Sequence, residues 1–303
     1  MTASDALRAA AALLGDRARA DVAIGPMTTY RVGGPAALFV RVEDEADLAA
    51  LAAAVRATGV ATLAVGRGSN LLVADRGFDG VAFTLGDAFA EITHKGPLVT
   101  AGAAASLPVV ARRTVSWGLT GFEWAVGVPG SIGGAVRMNA GGHGADMAAS
   151  LARVRVVDLT AGEDGIVPAS ALDLRYRGSS IGAASLVVWA ELALAPGDRA
   201  AGEAEISEIV QWRRANQPGG QNAGSVFTNP PGDSAGRVVD AAGCKGLRHG
   251  TAEVSAKHAN FIQADEGGSA DDVWALMTEV RARVHARTGI DLVPETCLVG
   301  FDS

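Results

Sequence analysis

Gly127-Val128-Pro129-Gly130-Ser131-Ile132-Gly133-Gly134-Ala135-Val136-Arg137-Met138-Asn139-Ala140-Gly141-Gly142-His143-Gly144 places seven glycines in eighteen residues. Glycine loses more backbone freedom on ordering than any other residue, so this tract is not expected to form an ordinary helix or strand. Two readings fit it. One is close packing of elements through small residues. The other is bare backbone against a bulky planar ligand, and Ser131 and Asn139, which add polar groups to the same tract, favour it. His143 reads as a turn residue and not as a catalyst.

A second glycine cluster, Gly66-Arg67-Gly68-Ser69-Asn70, follows a strand expected at 61–65 and precedes another starting at Leu71. Glycines there let successive backbone N–H groups converge on an anion, and Ser69 and Asn70 add side-chain donors. Leu71 stands where G-x-G-x-x-G needs its last glycine, and no G-K-[ST] follows, so neither the dinucleotide fingerprint nor a P-loop is present. By itself the cluster fits a tight surface turn as well as a phosphate site.

Working outward, residues 1–25 read as an N-terminal helix. Residues 26–85 form a first lobe: a strand at 37–42, a helix at 43–57 with Gly59 as its stop, and the strand at 61–65. Residues 86–198 form a second lobe of short strands around one helix at 107–117, with a hairpin at 161–165. Pro196-Gly197-Asp198-Arg199 reads as a linker to a last domain at 199–303, with helices at 203–214 and 235–242 and a strand at 260–263. A long helix there starts at Ser269-x-x-Asp272, a capping-box variant, and stops at Gly289. The fold class is α+β.

With 33 acidic against 26 basic residues, a net charge of −7 and no basic patch, a nucleic-acid partner is not expected. At 49% hydrophobic and 19% charged, the chain can bury a core, which excludes disorder. Cys244 and Cys297 form no CxxC pair, so no metal site is expected and both read as buried thiols in a reducing compartment. No uncharged run reaches the length of a membrane span, and the N-terminal Ala/Leu stretch lacks a cleavage site. Membrane insertion is not expected, and the cytoplasm is the expected location.

Three further motifs are bland singly. Arg175-Tyr176-Arg177-Gly178-Ser179 could be a solvated face. Gln217-Pro218 with Ala223-Gly224-Ser225-Val226-Phe227-Thr228-Asn229-Pro230 could be a turn, and no G-x-S-x-G elbow surrounds Ser225. Leu292-Val293-Pro294-Glu295 could end on a surface carboxylate.

Taken in order, these segments with Thr28–Ala36, Ala242–Gly246 and Lys257-His258-Ala259-Asn260-Phe261 resemble the UDP-N-acetylenolpyruvoylglucosamine reductase family (UDP-N-acetylmuramate dehydrogenases), from about residue 28 to residue 300. The resemblance implies a flavoprotein of peptidoglycan precursor synthesis: a two-lobed FAD-binding domain of the vanillyl-alcohol-oxidase (PCMH) type over 26–198 and an α+β substrate-binding domain over 199–303. Non-covalent FAD would be held by Gly66, Arg67, Gly68, Ser69, Asn70 and Leu71 around its pyrophosphate, and by Pro129, Gly130, Ser131, Gly134, Asn139 and Gly144 along the rest. NADPH would be the co-substrate and an enolpyruvyl UDP-sugar the substrate. By the same resemblance Arg177 would stabilise the substrate carboxylate, Ser225 would donate a proton, and Glu295 would hydrogen-bond the enol-like form. Asn229, Lys245 and Lys257 would contact the diphosphate or sugar.

Arg177 and Ser225 are only 48 positions apart, too few for the long tyrosine-bearing substrate loop of one subgroup, so the chain resembles the shorter subgroup. Two other readings stay open. An oxidase of a sugar or alcohol on the same fold often tethers FAD through a first-loop histidine, but position 70 is Asn and no His precedes His94. A non-catalytic UDP-sugar-binding module would not need Arg177, Ser225 and Glu295 together.

Overall fold

The computed structural model describes residues 2–301. Helix α1 (Ala3–Leu14) starts at Thr2, whose hydroxyl takes the Asp5 N–H while the Asp5 carboxylate takes the Thr2 N–H. The expected N-terminal helix stops there. Residues 18–23 form a strand, β1 (Ala18–Ala23), because the three-residue 3-10 turn at Gly15–Arg17 breaks the helix first. Next come β2 (Pro35–Val42), α2 (Glu45–Thr58), β3 (Thr62–Ala64), β4 (Leu71–Val73) and β5 (Phe78–Leu85). Asp44 caps α2 by accepting the Asp47 N–H, and Gly59 ends it at φ 64°, the left-handed geometry that glycine adopts without a Cβ clash. The sheet order is β1-β2-β5-β3, with β3 parallel to β5.

After β6 (Ile92–Lys95), β7 (Leu98–Gly102), α3 (Leu107–Ser116) and β8 (Leu119–Thr120) comes a seven-residue helix, α4 (Ile132–Met138), inside the glycine tract. This corrects the expectation that the tract forms no helix. Packing overrides propensity here: Ile132, Ala135 and Val136 are buried, and Gly133 lets the helix approach Ala103 closely. The two-residue strands β9 (Gly141–Gly142) and β10 (Ala145–Asp146) form a hairpin whose turn, His143-Gly144, has φ of 53° and 88°. Both central residues with positive φ match the twist of a two-residue hairpin. Then follow β11 (Leu151–Asp158), β12 (Asp164–Pro168), β13 (Ser185–Ala193), β14 (Ala195–Pro196) and α5 (Arg199–Asn216). An antiparallel sheet runs β12-β11-β13-β7-β6. It separates two cores: Val187, Ala190 and Leu192 face one, and Leu186 and Val188 face the other. A strand buried on both faces reads as a continuous apolar run, as Leu186-Val187-Val188 does.

The remaining elements are α6 (Ala235–Ala241), β15 (Arg248–His249), β16 (Ala252–Val254), β17 (Ile262–Ala264), α7 (Ala270–Thr288) and β18 (Cys297–Val299). Ser269 caps α7, and Val273, Leu276, Met277, Val280 and Val284 form its buried face. Strand β18 pairs in parallel with β4, Cys297 opposite Leu71 and Val299 opposite Val73.

Packing groups the chain into two compact units that are not contiguous in sequence. One comprises 1–20, 37–67 and 79–213; the other comprises 21–36, 68–78 and 214–303. This grouping differs from the linear division expected at 198. Ala195 and Pro196 are a paired strand and not a free linker, and α5 buries Ile206 and Ile209 in the core that holds Val126 and Ile132. Gly202 explains the closeness, since a Cβ there would lie 2.9 Å from Val115. The second core brings Tyr30, Val32 and Leu72 together with residues from 223 onward.

Candidate active site

The first unit contains a cavity of about 300 Å³. Four of the expected cofactor residues, Gly66, Arg67, Ser131 and Gly134, line it, together with Arg41 and Arg137. Three guanidinium groups and one lining acid, Asp87, with Arg41 also paired to Glu43, leave a net positive wall suited to an anionic ligand. Arg41 and Arg137 were not singled out from the sequence, although Arg137 lies inside the quoted glycine tract.

Fitting a Cβ to each glycine separates the two readings of that tract. At Gly133 it would sit 3.0 Å from the Ala103 Cβ, and at Gly127 2.9 Å from the His143 ring, so these glycines serve packing. Gly134 is different: its Cβ would meet nothing nearer than the Ser131 Oγ at 3.7 Å, yet the residue borders the cavity. Gly66 faces the same hydroxyl, at 2.7 Å. Ser131 is buried; Gly66 is bare because a Cβ would collide with its hydroxyl, whereas the bareness of Gly134 keeps open space that a side chain would fill. A phosphate-bearing cofactor fits this wall. Pro129, Gly130, Asn139 and Gly144 do not border this cavity. The Gly130 carbonyl accepts the Leu107 N–H at 3.0 Å, and Gly144 completes the hairpin turn.

Asn139 is committed inside the protein. Its Nδ2 donates to the Asp146 carboxylate at 3.0 Å and to the Arg175 carbonyl at 3.1 Å, and its Oδ1 accepts the Ala148 N–H at 2.9 Å. It sits at the end of α4 with φ 39°, a left-handed geometry that Asn tolerates better than most residues. Ser179 makes a parallel tie, donating its hydroxyl to the Arg137 carbonyl at 2.7 Å. These bonds anchor the turn in which Arg175 and Gly178 exchange backbone hydrogen bonds of 2.9 and 3.0 Å. Arg177 lies in that turn at φ 57°, half-buried, its guanidinium 5.1 Å from the centre of the Tyr176 ring.

Gly68, Ser69, Asn70 and Leu71 belong to the second unit. Gly68 is forced by backbone proximity, since a Cβ would lie 2.5 Å from the Met27 carbonyl oxygen. Asn70 donates its Nδ2 to the Glu295 carbonyl at 3.0 Å, and its own carbonyl accepts the Cys297 N–H at 2.9 Å. The loop expected to hold pyrophosphate thus also holds the backbone of the expected acid.

Ser225 and Glu295 are brought together in the second unit. The Glu295 N–H donates to the Val226 carbonyl at 2.7 Å, and the Thr228 N–H donates to the Val293 carbonyl at 2.9 Å. Both side chains are half-buried. Behind them Asn260, which is buried, grips residues 226 and 227. Its motif was legible in the sequence, but its role was not. The expected sugar or diphosphate contacts are in the same unit. Asn229 accepts the Ala235 N–H at 3.0 Å at the start of α6, Lys245 pairs with Asp240 at 2.7 Å, and Lys257 donates to the Arg214 carbonyl at 2.5 Å. Arg177 lies in the other unit.

Burial lowers the pKa of His258, and its Nδ1 accepts the Asn260 N–H at 3.2 Å, so the neutral ring is favoured. Burial, with Arg213 nearby, also lowers His143. Burial pushes the Cys244 thiol up, so it stays protonated; Cys297 is only half-buried. Among the described residues no group of three or more His, Cys, Asp or Glu side chains could hold a metal ion, and no helix is long and apolar enough to cross a membrane.

Comparison with known proteins matches residues 36–163 to a family described as FAD binding domain, and residues 215–299 to one described as UDP-N-acetylenolpyruvoylglucosamine reductase, C-terminal domain. A UDP-N-acetylenolpyruvoylglucosamine reductase of Heliobacterium modesticaldum is 45% identical over 279 residues, covering 90% of this chain and 88% of that protein. The chain belongs to the UDP-N-acetylenolpyruvoylglucosamine reductase family. A reductase of the same name from Acidiphilium cryptum is 42% identical over 93% of this chain and 91% of its own length. The crystal structure of the reductase from Thermus caldophilus superposes with a TM-score of 0.82 at 33% identity, over 93% of this chain and 99% of that one. The resemblance read from the motifs is borne out, as are the α+β class and the FAD-binding domain expected of a reductase of this family.

Proposed function

We propose that this chain uses NADPH to reduce the enolpyruvyl group of UDP-N-acetylglucosamine enolpyruvate, giving UDP-N-acetylmuramate for peptidoglycan precursor synthesis in the cytoplasm. The observation that carries this is 45% identity to a named reductase across nine tenths of the chain, so that both compact units are matched. Bound FAD supplies the hydride relay between the nicotinamide and the double bond. Gly66, Arg67, Ser131 and Gly134, with Arg41 and Arg137, are the residues that would hold it, guanidinium groups and bare backbone meeting its phosphates.

The remaining chemistry falls to side chains. When hydride reaches the β carbon, negative charge builds on the substrate carboxylate as an enol-like species. Arg177 stabilises that charge, and the turn tied to Asn139 and Ser179 pre-sets its position. Ser225 delivers a proton to the α carbon. A serine hydroxyl is a weak acid, so its competence depends on placement. Glu295 hydrogen-bonds the enol-like form. Asn229, Lys245 and Lys257 take the UDP diphosphate or sugar; the two lysines now hold exposed partners, and Asn229 keeps one amide nitrogen beyond its bond to the Ala235 N–H.

One assay tests the reading: NADPH oxidation by the yellow holoenzyme with and without the enolpyruvyl UDP-sugar. Sustained oxidation beyond the single equivalent that reduces the flavin, seen only with the sugar, supports it. In Ser225→Ala, reduction by NADPH is retained and product formation falls sharply; loss of both would mean that Ser225 is misassigned. Turnover of a simple sugar or alcohol with oxygen would favour an oxidase, and sugar binding without turnover would favour a non-catalytic module.

A further inference from the structure

Ser225 lies in a stretch, 223–228, that belongs to no helix and no named strand. A weak acid there can deliver a proton only if its backbone is held by something else. Asn260 does the holding. Its carbonyl accepts the Val226 N–H at 2.9 Å, its Oδ1 accepts the Phe227 N–H at 3.0 Å, and its Nδ2 donates to the Phe227 carbonyl at 2.8 Å. On the other flank the Val226 carbonyl takes the Glu295 N–H, and Phe227 bridges Pro294. The side-chain amide of Asn260 therefore acts as a neighbouring strand's peptide, and residues 226–227 are sandwiched between it and the segment that bears Glu295.

Both Asn260 and Phe227 are buried, so water cannot replace these bonds. Asn260 is itself fixed, because its N–H donates to His258 Nδ1 at 3.2 Å and the Phe227 side chain belongs to the same core as Ala259 and Ile262.

We infer that Asn260 is a positioning residue for Ser225, setting where the proton donor stands without touching the reacting atoms. The inference deepens the proposed function and rests on the assignment of Ser225 as proton donor. The residue must be an amide: an aspartate could still accept the Phe227 N–H, but it would set a carboxylate oxygen against the Phe227 carbonyl.

The test uses FAD-loaded Asn260→Asp and Asn260→Ser, with the two half-reactions followed by stopped flow. Flavin content and reduction by NADPH should stay within about twofold of wild type. The second half-reaction, with the enolpyruvyl UDP-sugar, should slow about tenfold or more while KM moves by less than about threefold. The solvent deuterium isotope effect on that half-reaction should grow, because proton delivery becomes more limiting. In a Ser225→Ala background the same substitutions should add no further slowing, since a positioning residue acts through the group it positions. Equal slowing with and without Ser225 overturns the inference, as does an unchanged second half-reaction. If neither variant yields folded holoenzyme, Asn260 is a stability residue and the inference falls. A wild-type enzyme that never reduces the sugar overturns the proposed function and this inference with it, whereas active wild type with equally active Asn260 variants overturns the inference alone.

Discussion

Gly133 and Gly134 are adjacent in α4, yet a methyl group added to each should act in opposite directions. At Gly134 the new Cβ meets only the Ser131 Oγ at 3.7 Å, an ordinary contact, so Gly134→Ala gains helix propensity, worth up to about 1 kcal/mol, without strain. At Gly133 the Cβ sits 3.0 Å from the Ala103 Cβ and 3.4 Å from its carbonyl, the same carbonyl that accepts the Gly133 N–H. Overpacking of this kind costs about 1–3 kcal/mol, which outweighs the propensity gain and leaves Gly133→Ala about 1 kcal/mol less stable. Thermal melts of flavin-free protein should show the two variants shifted in opposite directions by about 1–2 °C. Flavin affinity should separate them again. Gly134→Leu keeps the helix but projects into a cavity of about 300 Å³, and should weaken FAD binding about tenfold to a hundredfold, at roughly 1.4 kcal/mol per tenfold. Fluorescence titration with FAD reads this directly. If Gly134→Leu binds FAD as tightly as wild type, the cavity does not hold the flavin and the division of the glycines is wrong.

Asn139→Leu removes three buried hydrogen bonds and should destabilise the protein by about 2–4 kcal/mol, with kcat falling more than flavin content; chemical denaturation and steady-state kinetics check both. Because the folded-state pKa values of His143 and His258 are lowered, the unfolded chain binds protons more readily. Stability from these rings is therefore full above the ordinary value of 6.5 and is lost as pH falls below it; urea midpoints at pH 8 and pH 5 should differ less in His258→Gln than in wild type. Arg155 donates to Glu45 and Asp164 together, joining α2 to β12, and Arg155→Gln should cost about 1 kcal/mol, less in high salt because the carboxylates are partly exposed.

Elements whose start and stop signals are local were legible. Gly59 stops α2, and Ser269 and Gly289 bracket α7, as short-range sequence reveals, whereas the Asp44 cap sets the start of α2 two residues later than read. Helix α4 was not legible, because its stability comes from packing at Ile132 and Val136 against residues distant in sequence. Strand β18 was missed for a related reason: a three-residue strand has no periodicity to read, and its partner β4 lies near the other end of the chain. At the site, residue types were legible and their commitments were not. Asn139 and Asn70 look like ligand donors beside glycines, but both spend amide hydrogen bonds on backbone that carries Arg177 and Glu295. Asn260 was visible only as part of a motif, since a buried amide bonded to peptide has no sequence signature of its own.

The pairing of β4 with β18 also constrains how the protein is made. Asn70 and Glu295 are 225 positions apart, and they hydrogen-bond within one unit. A ribosome adding roughly 5–20 residues per second emits the 68–78 segment on the order of ten to forty seconds before its partners exist. The first unit, complete at residue 213, can close during that interval. The second cannot, so Leu72 and Tyr30 remain exposed apolar surface on the nascent chain until synthesis is nearly over. Slow codons or a shortage of chaperone should therefore harm the second unit of this protein before they harm the first.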